Sequence, residues 1–573
     1  VPRLAIRAAR LALLAACAAP AAARAQTPRG PAADSASAAP AALPLKYTPR
    51  PTAAAITVGD LMSRLYAFAD DSMMGREAGT EGNVKATAFI ARELARLGLR
   101  PAGENGTYFQ TLPFVRRSAA PGARLVVDGR PVDAGDFVLA LARGTPRAFD
   151  GTAAVVFGGA AGQSSLTREQ AAGKVVLLRL ETLGAQRIAA SSPLAAAAAV
   201  VYAGPDRIDP ALRNQAPAMA MAAEPGAATV PPQLFVTRAV AERMLGGRLD
   251  AATAGTAGRP VAATLRFAEA PAPARNVVAV LPGADAAVRG QYVALGAHND
   301  HVGYARRAVD HDSLKAANTL RRAAYVALDT AGAEALDAAA ERQVAERARA
   351  ARVNVDSLRR LRPARPDSIN NGADDDGSGS MALLEIAENL AAAPRKPRRS
   401  VLFVWHTAEE KGLLGARWFT DHPTVPRDSI VAQLNIDMIG RGRREDVATG
   451  GPAYVGIVGS RRLSTELGDL AAGLARQDGI RLDYALDANG HPQNIYCRSD
   501  HYHYARYGIP IAFFFTGLHG DYHQVTDEPQ YIDYPHYARI TNYVRDLAVR
   551  VADLDHRVAV DKPKPDPNGE CRQ

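Results

Sequence analysis

The chain has 573 residues, 47% of them hydrophobic and 22% charged. That is enough for more than one core, because single cores stop growing at roughly 250–300 residues. The net charge of +9 is modest for this length. With no basic stripe interleaved with aromatics, nucleic-acid binding is excluded as a leading function. No apolar run in the body of the chain approaches the ~20 residues a membrane span needs.

Arg3, Arg7 and Arg10 precede an apolar stretch from Leu11 to Ala19, then Ala23-Arg24-Ala25. This reads as a secretory signal over residues 1–25, with Gln26 as mature start. Leu14-Ala15-Ala16-Cys17 also resembles a bacterial lipobox, so a lipid anchor at Cys17 stays open beside cleavage after Ala25. The destination is the same side of the membrane in either case: periplasmic or extracellular, as a free protein or a membrane-anchored lipoprotein. Cleavage at Ala25 leaves Cys497 and Cys571, too few for a disulfide framework. Both the bridged and the free-thiol states fit the sequence.

Residues 26–46, rich in Ala, Pro and Ser, read as a disordered linker. From Val58 to Leu99 the pattern is helical, with Phe89, Ile90, Leu94 and Leu97 on one face and Gly98 closing it. Residues 47–116 are assigned to the first part of a catalytic domain. Over 117–272 the character changes to short β-like runs, among them Leu125–Val127, Ala153–Phe157 and Lys174–Leu178, with no ligand cluster. An inserted β-rich domain is expected there.

From 273 to 556 strands and helices alternate. Buried-strand candidates are 276–281, 292–297, 400–406, 431–437, 453–458 and 509–516. Each is a short continuous apolar run, the mark of a strand covered on both faces. Helical patterns cover Ser378–Ala393, Gly412–Phe419, Arg462–Arg476 and Tyr537–Leu554. The fold class expected is α/β, three-layer, with a mostly parallel central sheet. Ligands in such folds collect at the carboxyl ends of strands, where His298, Glu409, Glu410 and Asp437 fall. Residues 304–368, rich in Ala, Arg and Glu, interrupt the unit and are expected to be a helical insertion, either a surface decoration or a lid over the site. Residues 557–573 are expected to be a disordered tail.

Five short segments concentrate metal-ligand residue types: Ala297–His301, Ala373–Gly377, Thr407–Glu410, Asn435–Met438 and Asp521–His523. Buried carboxylates are costly unless paired, hydrogen-bonded or bound to a cation. Two imidazoles and three carboxylates are an inventory for two zinc ions sharing one ligand. No G-x-S-x-G elbow or H-E-x-x-H helix is present, so serine-hydrolase and single-helix zincin chemistry have no support.

Together these motifs resemble the secreted dizinc aminopeptidases: His298-x-Asp300, Asp374-Asp375-Asp376-Gly377-Ser378-Gly379, Glu409-Glu410-x-Gly412-Leu413-x-Gly415, Asn435-x-Asp437-Met438-Ile439-Gly440 and Tyr522-His523. They belong to the zinc exopeptidases, a group that includes glutamate carboxypeptidase and the transferrin receptor. Weaker similarity reaches Gly75-Arg76-x-x-Gly79-Thr80-Glu81-Gly82, and 117–272 resembles the protease-associated domain often inserted in this family. The resemblance implies two Zn2+ per chain. His298 and Asp437 would hold one, Glu410 and His523 the other, and Asp375 would bridge, with the aspartate triplet leaving a one-residue ambiguity. Asp375–Asp376 would be the family's cis peptide, with Asp376 behind the ligands. Asp300 would accept the free imidazole N–H of His298. Glu409 would be the general base, taking a proton from the water between the metals and passing it to the leaving amine. Tyr522 would be a donor to the oxyanion.

His301 and His406 match no family ligand spacing and read as satisfied strand-end histidines. Ser499-Asp500-His501 reads as support for the site. The implied function is an exported aminopeptidase acting on peptides with a free N-terminus. Alternatives are a glutamate-carboxypeptidase-like enzyme using Arg417 or Arg498 for a terminal carboxylate, a one-zinc glutaminyl cyclase, and a non-catalytic binding protein. Cobalt or manganese could replace zinc in such a donor set.

Overall fold

The computed structural model describes residues 43–573 except 142–143, 181–187, 190, 205, 223–228, 329–345, 347–352 and 448. The segments expected to be a signal peptide (with Cys17) and nearly all of the expected linker, together with the Ala-rich centre of the insertion, lie outside the described residues.

The main sheet has nine strands. In chain order these are β1 (Arg100–Pro101), β2 (Phe109–Thr111), β3 (Arg275–Leu281), β4 (Tyr292–His298), β5 (Ser400–His406), β6 (Ile430–Ile436), β7 (Tyr454–Val458), β8 (Arg481–Asp483) and β9 (Ile511–Phe515). Their spatial order is β1-β3-β5-β4-β6-β9-β7-β8, with β2 beside β3. The centre, β5-β4-β6-β9, is parallel throughout. β3 runs antiparallel to β5, and β7 antiparallel to β9. All six expected strands are present. The edge strands β1, β2 and β8 have two or three residues each, too short for a periodic signal.

Period-two alternation divides the buried strands between two faces. Val278, Val280, Ala294, Leu402 and Val404 pack with Phe419, Tyr504 and Phe513 on one side. On the other, Trp405 Nε1 donates to the Ser380 carbonyl. The longer helices outside residues 114–271 are α1 (Val58–Phe68), α2 (Glu81–Arg96), α3 (His311–Leu328), α4 (Gly379–Ala392), α5 (Leu414–Asp421), α6 (Thr465–Gln477) and α7 (Tyr534–Ala552). The fully apolar face of α4, from Met381 through Leu384 and Ile386, is buried. The helical pattern over 58–99 is two helices, because Asp71–Arg76 forms a tight turn with Met74 and Gly75 at positive φ.

Residues 114–271 build separate sheets of five, four and three strands. Leu125, Val127, Phe157, Leu177, Val201, Leu234 and Leu265 fill a core shared by the first two. The three-stranded sheet (Phe114–Ala119, Ala218–Met221, Phe267–Pro271) brings Phe114, Met219 and Met221 against Ala408, Leu414 and Trp418 of the main domain.

Two expectations need correction. The insertion is not only helical: Tyr304–Asp310 and Pro366–Ile369 pair as an antiparallel ribbon at its root, with α3 and a short helix Val355–Leu361 between. The ribbon is mostly exposed, so it lacks the apolar alternation that would announce it. The tail beyond residue 556 is not free. Cys571 is disulfide-bonded to Cys497, and the Gln573 side chain accepts from Tyr496 N at 2.9 Å and donates to the Ala488 carbonyl at 3.0 Å. Composition alone shows neither fastening.

Candidate metal centre

β4, β5 and β6 deliver their carboxyl ends side by side, with His298, Glu409–Glu410 and Asp437 at or just beyond them. Asp375 comes from the turn Ala373–Ser378 that leads into α4, and His523 from the loop after β9. The Asp375–Asp376 peptide is cis.

Two donor sets share one residue. Asp375 Oδ1 lies 3.2 Å from His298 Nε2, and Asp437 Oδ1 is 3.6 Å from the same nitrogen. Asp375 Oδ2 lies 3.0 Å from His523 Nε2, and Glu410 Oε2 is also 3.0 Å from it. Thus the two oxygens of one carboxylate face different histidine–carboxylate pairs. His301, read from sequence as a bystander, belongs with the second set. Its Nδ1 is 3.0 Å from Glu410 Oε1 and 3.6 Å from Asp375 Oδ2. A Glu77–His301 backbone bridge and the His301 N–H bond to the Arg76 carbonyl turn it inward. The one sequence signal was its place three residues past His298 in a ligand-rich segment.

The donor chemistry fits cations. His298 Nε2, Asp375 Oδ2, Asp437 Oδ1 and His523 Nε2 are buried atoms with no hydrogen-bond partner, although they converge. Buried polar atoms rarely go unpaired, and two histidines with three carboxylates suit zinc-class ions.

Charges inside the cluster compensate one another. Burial lowers His298, but Asp437 and Asp375 outweigh it and hold the imidazole well above its ordinary pKa. Burial also opposes protonation of His523, yet Asp375 and Glu410 raise it to about 10. Asp375 is held well below the carboxylate range, against burial, by His298, His523 and His301. Glu409 moves the other way: burial, then Glu410 and Asp437, push it well up.

Groups behind the donors fix their aim. Asp376 accepts main-chain N–H bonds from His298 (2.9 Å), Gly379 (2.8 Å) and Met438 (3.1 Å), tying β4, α4 and the β6 end together. Gly379 is required for this approach, since a Cβ there would lie 2.3 Å from Asp376 Oδ1. Ser499 Oγ donates to Asp437 Oδ2 at 2.7 Å. Asp527 accepts the N–H groups of Asp374 and Asp375 at 3.1 Å. Asp300 differs from expectation: the His298 Nδ1 partner is the Asp300 main-chain carbonyl at 3.0 Å, with the carboxylate 3.8 Å away. That carboxylate instead accepts the Glu409 N–H at 3.0 Å. Burial raises Asp300 to about 7 against the pull of His298. His406 sits apart, 3.0 Å from Tyr504 Oη and 3.2 Å from Asp500 Oδ2.

Ala408, Met438 and His523 have φ of 54°, 58° and 56°. They are three of the nine non-glycine residues at positive φ among the described residues, a conformation that stores backbone strain.

Glu409 stands in neither donor set. With Asp375, Asp437, Tyr522 and Arg498 it lines a cleft whose other walls include Ile495, Phe513, Phe515 and Leu518. Tyr522 stacks on His523 with ring centroids 3.8 Å apart.

The site is thus an α/β domain's pair of candidate cation donor sets, joined by one aspartate at the carboxyl ends of parallel strands. Residues 276–548 match the model of Peptidase family M28. Leupeptin-inactivating enzyme 1 of Streptomyces exfoliatus is 30% identical over 167 residues, 29% of this chain and 33% of that protein. Leucine aminopeptidase 1 of Colletotrichum graminicola is 31% identical over 192 residues, 30% of this chain and 45% of that one. The chain thus spans between a third and a half of the length of these relatives. The solved aminopeptidase of Aneurinibacillus sp. strain AM-1 is 15% identical with a TM-score of 0.48, covering 89% of this chain and 97% of that one. No helix among the described residues is long and apolar enough to cross a membrane.

Proposed function

We propose that this chain is an exported zinc aminopeptidase that removes N-terminal residues from peptides, with His298, Asp375 and Asp437 holding one zinc and Asp375, Glu410 and His523 the second. The observation that carries the reading is the split of Asp375, one oxygen toward each donor set, with Glu409 beside both and in neither. Zinc bound there supplies Lewis acidity and lowers the pKa of water at the site.

The chain's own residues do the rest. Glu409, at the cleft wall, takes the proton of the attacking water and returns it to the leaving amine; its raised pKa suits both transfers. Asp300 fixes the Glu409 backbone. Tyr522, which lines the cleft, is the donor to the oxyanion of the tetrahedral intermediate in this reading. Ile495, Phe513, Phe515 and Leu518 form an apolar wall suited to an aliphatic first side chain, in keeping with the leucine named in relatives' descriptions. The β-rich module at 117–272 is a protease-associated-like domain, and its contact with Ala408 and Trp418 suits a role in access to the cleft. The Cys497–Cys571 bridge supports an oxidising destination outside the cytoplasm.

The test combines zinc analysis with a peptide panel. About two zincs in the paired site, cleavage of free but not N-acetylated peptides, and a ~10²–10⁴-fold loss of kcat in Glu409→Gln with metal retained are expected. Arg498 shares the cleft, so cleavage of acetylated peptides from the C-terminus would replace this reading with the carboxypeptidase one. Arg417 is 3.6 Å from Asp421 and does not line the cleft.

A further inference from the structure

The insertion carries a second cluster with ligand chemistry. His311 opens α3, Asp367 lies on the returning strand of the ribbon, and Glu528 sits in the loop after His523. Their donor atoms all lie within 4.8 Å of one another. His311 is fully buried, and its Nε2, 3.3 Å from Glu528 Oε2, has no hydrogen-bond partner. The ring is held in place by stacking on Tyr531, with centroids 6.0 Å apart and planes 16° from parallel. Asp367 uses one oxygen on the Ile369 N–H at 2.9 Å, leaving the other for a ligand.

We propose that His311, Asp367 and Glu528 form a third, single-cation site for a divalent transition metal of the zinc class, which clamps the root of the insertion to the loop bearing His523. One imidazole and two carboxylates are an N/O donor set of that kind, and an open fourth position is left for water. Asp312 Oδ1 is 3.4 Å from His311 Nδ1. It is thus placed to accept a hydrogen bond from Nδ1–H, the tautomer that leaves the Nε2 lone pair for the metal, as carboxylates do behind ligating histidines. Asp312 is itself fixed by Arg362 at 2.7 Å.

Arg365 is the competitor. Its Nη2 contacts His311 Nδ1 and lies 3.5 Å from Glu528 Oε2. Its side chain is 30% exposed, so it can turn to solvent when a cation takes its place. The clamp matters because α3 also reaches the His523 loop through Lys315, bonded to Asp521, and through Asn318, which donates to Gln524 Oε1 at 2.9 Å and Thr526 Oγ1 at 3.0 Å. Glu528 follows Asp527, which holds the Asp374 and Asp375 amides. Within this site the insertion is a brace, and the proposal stands whether or not the paired centre is an aminopeptidase.

The test uses the full chain carrying His298→Ala and His523→Ala, dialysed against Co2+ and desalted, with bound cobalt counted by elemental analysis. One cobalt per chain is expected, lost when His311→Ala or Asp367→Asn is added. A chain that holds no cobalt before those additions, or the same amount after them, overturns the site and leaves Arg365 as the cluster's counter-charge. Because the added changes can disturb folding, Arg365→Met is measured in the same background. It removes the competing cation and no ligand, and is expected to tighten cobalt binding about tenfold; unchanged or weaker binding also overturns the proposal.

Discussion

Replacing Ser499 with alanine removes the hydroxyl that donates to Asp437 Oδ2 at 2.7 Å and accepts from Asn435 Nδ2 at 3.1 Å. The lost bond to a carboxylate is worth about 1.5–3 kcal/mol. At about 1.4 kcal/mol per tenfold, that is roughly a 10–100-fold weakening of the cation held by Asp437, the range seen when outer partners of metal ligands are removed. Among the described residues Asp437 belongs to one donor set, with His298 and Asp375, so the effect should fall on one ion. The second set, with Glu410 and His523, should shift by less than about threefold. A chelator competition resolving the two affinities, run beside thermal unfolding of the metal-free protein, separates this from general loosening. Equal weakening of both ions, or no change in either with Asn435 still ordered, would refute the reasoning that Ser499 acts through Asp437.

His301→Ala should weaken the other ion and lower kcat/KM by about 10–100-fold, because it strips Glu410 Oε1 of its partner; metal titration and peptide hydrolysis check it. Asp421→Asn should lower stability by ~1 kcal/mol at pH 7. Burial raises the Asp421 pKa, but the Tyr507 hydroxyl and Arg506 outweigh it and hold it below the ordinary value. Its contribution is therefore complete above the unfolded pKa near ~3.9 and is lost as pH falls through the lower folded value. Melting curves of variant and wild type should converge as pH falls through that lowered folded value. Cys571→Ser opens a loop closed across 74 residues and should cost about 2–4 kcal/mol. Its melting temperature should fall, and KM should rise, since Cys497 adjoins Arg498 and Ser499 at the cleft.

The parallel core was legible because β4, β5, β6 and β9 are buried on both faces and therefore written as unbroken apolar runs. The donors at their ends were legible because Asp, Glu and His break those runs abruptly. His301 was not legible: its inward turn depends on the Arg76–Glu77 segment, more than two hundred residues upstream, which accepts its N–H and bridges its backbone. Asp300 shows the same limit at finer scale. Sequence placed it beside His298, but only the packing of the Glu409 loop decides that its carboxylate serves that loop's N–H rather than the imidazole. The ribbon at 304–310 and the tail at 557–573 failed for a third reason. They are held by pairing and by a disulfide, and exposed segments fastened in that way need no hydrophobic pattern.

Charge accounting explains why the inner donors need cations while the outer acids do not. Asp376 has three main-chain donors. Asp527 has two amides, Asp300 has the Glu409 amide, and Asp374 has the Gly440 N–H, the Ser378 hydroxyl and His519 at 3.3 Å. Asp500 has His406. Main-chain and side-chain partners outside the donor sets thus reach each of these acids, although Asp300 Oδ2, Asp374 Oδ2 and both Asp500 oxygens have no hydrogen-bond partner. Asp375 and Glu410, by contrast, meet only the side chains of other inner donors and His301 among the described residues. Asp437 adds a single serine hydroxyl. The fold spends its amides and hydroxyls on the outer ring and leaves the inner oxygens facing one another. That arrangement is stable only with positive charge between them. The neighbouring carboxylates favour the protonated forms of His298 and His523, and divalent ions can supply the charge without forcing the imidazoles to carry protons.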